Sequence, residues 1–179
     1  MRIVIFEKTE DIFSSEKTAV ALGYFDSLHL GHKEVIERAL GEEFLPAVFT
    51  FYSRSGKKGE KPFLEEAKKR ELMKEMGVKV YACPPFLEIK DLSGKEFFDE
   101  ILKKRLSAAV IVCGEDFRFG KNRECSVKEL KEMCRESDIS LIVVPIMMKN
   151  GEKISTTKIR ALIDKGNIKE AEKLLGRKI

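Results

Sequence analysis

No apolar run in this chain is long enough to span a bilayer, which excludes an ordinary transmembrane helix. Met1-Arg2-Ile3-Val4-Ile5-Phe6 gives way at once to Glu7 and Asp11, with no small-residue cleavage site, so no export signal is expected. Cysteine is scarce. Cys83, Cys113, Cys125 and Cys134 form neither a CxxC pair nor a zinc-finger spacing, and Cys83 and Cys113 close apolar runs, the usage of reduced thiols in a cytoplasmic protein. Charge of one sign is lacking as well: 34 basic residues against 30 acidic ones leave a net +4, too balanced to argue for nucleic-acid binding. The excess collects late, with nine Lys or Arg against four Asp or Glu from Lys149 to Ile179, either a solvated helical face or a contribution to polyphosphate binding. No segment reads as an interdomain linker and no internal repeat is present, so residues 1–179 are expected to form one soluble domain.

Histidine is nearly absent, and its placement is informative. The only two, His29 and His32, lie in Gly23-Tyr24-Phe25-Asp26-Ser27-Leu28-His29-Leu30-Gly31-His32. The apolar run Thr18–Leu22 before them reads as a buried strand, and residues 34–40 after them have helical apolar spacing, which puts the pair on a strand-to-helix turn. Amides at a helix start are unpaired and favour anions. Residues three apart share a helix face, so both imidazoles can address one ligand, while Gly31 allows a phosphate close to the backbone. A two-ligand metal site is disfavoured, since no other histidine exists and no cysteine lies nearby at ligand spacing.

Further strand-like runs fall at residues 47–51, 78–82, 108–113 and 140–145, separated by helical patterns, which implies an α/β fold with a parallel sheet covered on both faces. Residues 65–76 form an amphipathic helix stopped by Gly77, and Ser93 with Glu96 stands at capping-box spacing before an apolar-faced helix reaching Leu106. The Ser-, Gly- and Lys-rich stretch 52–61 reads as a mobile loop without the phosphate-loop glycine pattern, and Asn150-Gly151 reads as a hairpin turn.

Two more segments carry chemistry. Gly114-Glu115-Asp116-Phe117-Arg118-Phe119-Gly120 follows a buried strand, at the sheet edge where open α/β folds bind ligands. There Phe117 and Phe119 either pack a planar ring or cover the sheet, and Asp116 and Arg118 orient a phosphate, a metal or each other. Ile154-Ser155-Thr156-Thr157-Lys158-Ile159-Arg160 opens a helix with three hydroxyls where an N-cap needs one, and Lys158 and Arg160 add cationic donors suited to a leaving pyrophosphate.

Gly23–His32 resembles the GxFDGxHxGH motif of the bacterial riboflavin kinase/FAD synthetase family, within the HxGH nucleotidylyltransferase superfamily. Val112–Gly120 is similar to that family's VGxDFRFG, Ile154–Arg160 to its ISSTxIR, Leu174–Arg177 to the LLGR closing its adenylyltransferase module, and Pro85-Phe86 with Leu92–Phe97 to its flavin-side segment. The resemblance implies a Rossmann-like parallel sheet with helices on both faces, and transfer of AMP from ATP to FMN, with Mg2+, to give FAD and pyrophosphate. It implies that His29 and His32 stabilise the α-phosphate transition state and that Ser155, Thr156 and Arg160 hold the β- and γ-phosphates. Gly23, Phe25 and Asp26 would shape the nucleotide turn, and Gly114, Asp116 and Phe117 would line the dinucleotide site. Because the FMN phosphate is already ionised, no general base is required, and catalysis rests on positioning and charge neutralisation.

The chain departs from the family pattern at Ser27 (usually glycine), at Thr156 (serine), at Cys125 (commonly glycine) and at Phe51-Tyr52-Ser53-Arg54-Ser55, where the family has Pro-His-Pro after its phenylalanine. The sequence stops two residues after Arg177, before any segment resembling the kinase, so residues 1–179 are expected to be an adenylyltransferase module alone, either a single-activity synthetase supplied with FMN by a separate riboflavin kinase or one part of a longer protein. ATP and FMN are the expected partners, with no nucleic acid or membrane. The rival readings are a nucleotidylyltransferase using another phosphate acceptor and a flavin- or nucleotide-binding module without catalysis.

Overall fold

In the computed structural model, which describes residues 3–53 and 61–179, six strands make one parallel sheet. In chain order the elements are β1 (Val4–Phe6), β2 (Thr18–Leu22), α1 (Leu30–Leu40), β3 (Leu45–Phe49), α2 (Glu66–Met76), β4 (Val80–Ala82) and the short α3 (Phe86–Ile89). Then come α4 (Gly94–Glu96), which runs on as a π-helical stretch Phe97–Arg105, followed by β5 (Ala108–Gly114), β6 (Arg118–Phe119), β7 (Cys125–Ser126) and α5 (Val127–Glu136). The chain closes with β8 (Ser140–Val144), the hairpin β9 (Met148–Lys149) and β10 (Glu152–Lys153), α6 (Thr156–Asp164) and α7 (Ile168–Leu175). The large sheet is ordered β1-β4-β3-β2-β5-β8, and every neighbouring pair in it is parallel.

β2 is central because every residue of Thr18-Ala19-Val20-Ala21-Leu22 is buried, the mark of a parallel strand covered on both sides. Its alternate side chains feed two cores. Val20 and Leu22 join Phe49, Ile111 and Cys113 beneath Phe97, Phe98, Leu102 and Leu130. Ala19 and Ala21 join Val48, Val110 and Val112 beneath Val35, Ile36 and Ala39 of α1 and Met73 of α2. The expected Rossmann-like sheet with helices on both faces is therefore present. After β2 the chain adds β3 and β4 on one side, then crosses back to add β5 and β8 on the other. The reversal leaves a switch point at the carboxyl ends of β2 and β5, the place where such sheets open to ligands.

Several boundaries differ from those expected. β3 runs from 45 to 49 rather than 47 to 51: its register with β2 and β4 ends at Phe49, although the Thr50 amide still bonds Ala82 O (2.9 Å), its hydroxyl donates to Tyr24 O (2.8 Å), and Tyr52 forms an isolated bridge with Pro85. β4 starts at Val80 because the Val78 amide is committed to Met73 O (3.1 Å), behind a Gly77 that caps α2 in the left-handed region (φ 102°). Residues 97–105 follow a π rather than an α path, and the stretch ends with the Leu106 amide on Ile101 O (2.9 Å). β1, considered in the sequence only as a possible export segment, is an edge strand registered on β4. The Ser93/Glu96 capping box is formed, and Asn150 (φ 53°) and Gly151 (φ 77°) make the expected hairpin turn. Of the stretch read as a mobile loop, residues 54–60 lie outside the described residues. All four cysteines are buried and free. Among the described residues no helix is long and apolar enough to cross a membrane.

Candidate functional site

The histidine turn leaves β2 at the switch point. α1 starts at Leu30, so His29 is its N-cap, and Nδ1 of its imidazole accepts the His32 amide at 3.2 Å. N-cap and third helical residue still meet: the two rings stack at 3.6 Å between centroids, 16° from parallel. His29 is 7% exposed, and burial lowers its pKa from 6.5 to about 4. The charges of Lys153 and Arg177 act in the same direction, whereas Asp116 and a backbone carbonyl oppose it. Since Nδ1 is the acceptor, the neutral ring carries its proton on Nε2, where it serves as a donor. Gly31 is explained by this ring: a Cβ there would stand 3.2 Å from its Cε1. Gly23 is required by Phe25, whose ring would lie 2.6 Å from a Cβ at Gly23 and which meets His32 edge-on at 5.5 Å.

The start of α6 is joined to this turn. Ser27, fully buried, and Thr156 share a hydrogen bond of 2.9 Å between their hydroxyls. Ser155 caps α6 by accepting the Lys158 amide at 3.2 Å. Asp26 lies 3.5 Å from Arg160 and accepts the Phe63 amide at 2.9 Å, while Arg160 donates to Lys61 O at 2.6 Å and covers the Phe63 ring. His29, His32, Asp26, Thr156 and Arg160 thus come together from segments more than a hundred residues apart.

The Gly114–Gly120 segment lies across the switch point. Glu115 accepts the Ile146 amide at 2.8 Å, Phe117 stacks on the buried Phe119 at 5.7 Å, and Asp116 takes Lys153 of the β9–β10 hairpin as its ion-pair partner. Both members of that pair are near enough for their charges to be felt at His29. On the β3 side, Tyr24 stacks on Phe51 at 4.8 Å and Phe51 contacts Phe86 at 5.0 Å. They form an aromatic row where the Pro-His-Pro of the resembled family is missing. A cavity of about 340 Å³ opens beside the row, bordered by Tyr24, Phe51, Lys61 and the buried Lys69. Lys69 pairs with Glu66 at 3.5 Å and lies over the Tyr24 ring.

Three residues at the site were given no role there by the sequence reading. Arg177 donates to the carbonyls of Ser27 (2.8 Å) and Leu28 (3.0 Å), Lys153 reaches Asp116, and Ser27, noted only as a departure, binds Thr156. The signals available were a helix-stopping glycine followed by arginine, and a lysine just before a hydroxyl-rich helix start. Among the described residues no group of three His, Cys, Asp or Glu is placed to hold a metal. The Mg2+ that the resemblance implies finds no protein cage there, unlike a Mg2+ carried by substrate phosphates and water.

Residues 11–158 match the family described as FAD synthetase. An FAD synthetase of Listeria monocytogenes is 32% identical over 90% of this chain and 70% of its own length. A bifunctional riboflavin kinase/FMN adenylyltransferase of Buchnera aphidicola is 30% identical over 91% of this chain, which spans only 56% of that protein. A solved Streptococcus pneumoniae structure, named a macrolide-efflux protein, superposes with a TM-score of 0.85 at 31% identity, over 98% of this chain and 62% of that one.

Proposed function

The chain belongs to the FAD synthetase family, and from that premise we propose that it transfers AMP from ATP to FMN. An FMN phosphate oxygen attacks the α-phosphorus of ATP, the bond from that phosphorus to the bridging oxygen of the β-phosphate breaks, and pyrophosphate leaves with the electron pair. Membership supports the coarser statement directly: the chain is of the nucleotidylyltransferase type found in FAD biosynthesis. The observation that carries the finer one is the Ser27–Thr156 bond, which ties the start of the histidine helix to the hydroxyl-rich start of α6 at the switch point. One triphosphate then meets the amides of both helix starts.

In this reading neutral His29 donates from Nε2 to an α-phosphate oxygen, and His32 supports it through the stacked ring and its amide. Ser155 and Thr156, with Lys158 and Arg160, face the β- and γ-phosphates. Asp26 keeps Arg160 in place. The acceptor's flat ring has the Tyr24–Phe51–Phe86 row and the Gly114–Phe119 segment as walls. These residues carry the adenylylation step, for which FMN is the substrate.

The test is chromatography of parallel reactions, FMN with ATP and Mg2+ in one and riboflavin with ATP and Mg2+ in the other. FAD and pyrophosphate should form in the first and no FMN in the second. Binding of both nucleotides without pyrophosphate release would favour a non-catalytic module. Product with another phosphate acceptor but not with FMN would move the assignment to a different nucleotidylyltransferase.

A further inference from the structure

We propose that Arg177 is a positioning residue for adenylyl transfer, gripping two successive carbonyls of the turn before α1 and thereby fixing where His29 and the turn's amides point, an inference that rests on the reading above. The geometry is a planar fork on adjacent acceptors: Nη2 donates to Ser27 O at 2.8 Å and Nη1 to Leu28 O at 3.0 Å, across about 150 residues of sequence. The turn needs such a hold. Phe25 (φ 47°) and Leu28 (φ 48°) occupy the left-handed region, which side chains disfavour and which persists only where the surroundings over-determine it.

A trans peptide sets its N–H opposite its C=O. Pinning the carbonyls of Ser27 and Leu28 toward Arg177 therefore aims the amides of Leu28 and His29 away from it, and among the described residues neither amide has an acceptor. One of those amides belongs to His29 itself and the other to the residue before it, so the same grip orients backbone and side-chain donors together.

The fold delivers Arg177 to this place. α7 packs Leu174 and Leu175 in a small core with Leu30. Gly176 then turns in the left-handed region (φ 63°), where a Cβ would fall 2.5 Å from Leu30 Cδ2, and Lys33 donates to its carbonyl at 3.1 Å. Arg177 is desolvated enough to have its pKa lowered, and its charge adds to the field that keeps His29 neutral.

Because the chain has two histidines, its imidazole NMR spectrum contains two Cε1–H signals. The experiment compares these signals, their titration and steady-state FAD formation in the wild type, Arg177→Gln and Arg177→Lys. In Arg177→Gln the His29 signal should move and its midpoint rise from about 4, while kcat falls at least tenfold and the KM for ATP changes less than threefold. Arg177→Lys keeps the charge but not the fork, and should recover less than a third of the lost rate. An unmoved His29 signal, a kcat within twofold of wild type per folded molecule, or full rescue by lysine would each overturn the proposal. If the wild type makes no FAD, the adenylyl-transfer reading falls instead, and the spectra alone still decide whether Arg177 holds His29.

Discussion

Acid should weaken this fold through His29 in a way that can be isolated. The imidazole is 7% exposed, and its Nδ1 accepts the His32 amide, so protonation puts a cation into a buried place and turns an acceptor into a donor facing a donor. Its pKa is lowered to about 4 from 6.5, with burial as the main cause. A base with a depressed pKa binds its proton more readily in the unfolded chain. Stability is therefore full above pH 6.5, falls as pH drops through 6.5, and levels off below the folded value near 4. At 1.36 kcal/mol per pKa unit, the linked loss is about 2 kcal/mol between pH 7 and pH 5 and about 3 kcal/mol by pH 4.

The perturbation is His29→Asn, which keeps an oxygen acceptor at the N-cap but cannot titrate. Urea unfolding of wild type and variant at pH 7, 6, 5 and 4 gives two curves whose difference cancels carboxylates common to both. The wild type should lose about 2 kcal/mol relative to the variant by pH 5, and the His29 Cε1–H resonance should stay in its neutral position to below pH 5. A difference curve flat to within about 0.5 kcal/mol from pH 7 to 5, together with a His29 midpoint between 6 and 7, would refute the reasoning from burial.

Three other outcomes are expected. His29→Ala and His32→Ala should each lower kcat for FAD formation by about tenfold to a thousandfold with the fold retained, although loss of the His29 N-cap bond should also cost that variant about 0.5–2 kcal/mol in urea unfolding, and near-normal turnover in both purified variants would reject their assignment. Thr156→Val leaves the buried Ser27 hydroxyl without its partner and should cost about 1–3 kcal/mol in urea unfolding, most of which the double variant with Ser27→Ala should return. Arg160→Ala should raise the KM for ATP well beyond that for FMN, since a lost charge-assisted contact is worth about 1.5–3 kcal/mol, and equal loss of both substrates would reduce Arg160 to its structural bonds with Asp26 and Lys61.

The sheet was legible because its central strands carry apolar residues on both faces, so runs such as Thr18–Leu22 and Ala108–Gly114 admit few other readings. Their ends were less legible. Thr50 is a good strand former and its amide still bonds Ala82 O, but β3 ends at Phe49 because β2, its other neighbour, ends opposite it at Leu22, a limit set by the partner strand that no local pattern encodes. The histidine pair could be read from spacing, but not the state of its members: burial, Lys153 and Arg177 make His29 neutral, and two of those three causes come from beyond residue 150. Arg160 was legible as a cation at a helix start, whereas its partners Asp26 and Lys61 O depend on how α6 docks.

Two of the departures from the resembled motifs, Ser27 and Thr156, are better understood as one. A glycine at position 27 has no side-chain hydroxyl, so a residue at position 156 would have nothing there to bond. With serine in place the hydroxyl is fully buried, and leaving it unpaired would cost about as much as an ordinary hydrogen bond contributes, or more. Thr156 supplies the partner at 2.9 Å, and its β-branched side chain is stiffer at χ1 than serine, which suits a hydroxyl that must stay on one partner. The pair therefore fastens the His29 helix start to the α6 helix start through side chains, beside the backbone grip of Arg177 on the same turn. Two clamps on one strained turn leave it little freedom to rearrange, so under the proposed function the site would be organised before a triphosphate binds, as charge-stabilising catalysis requires.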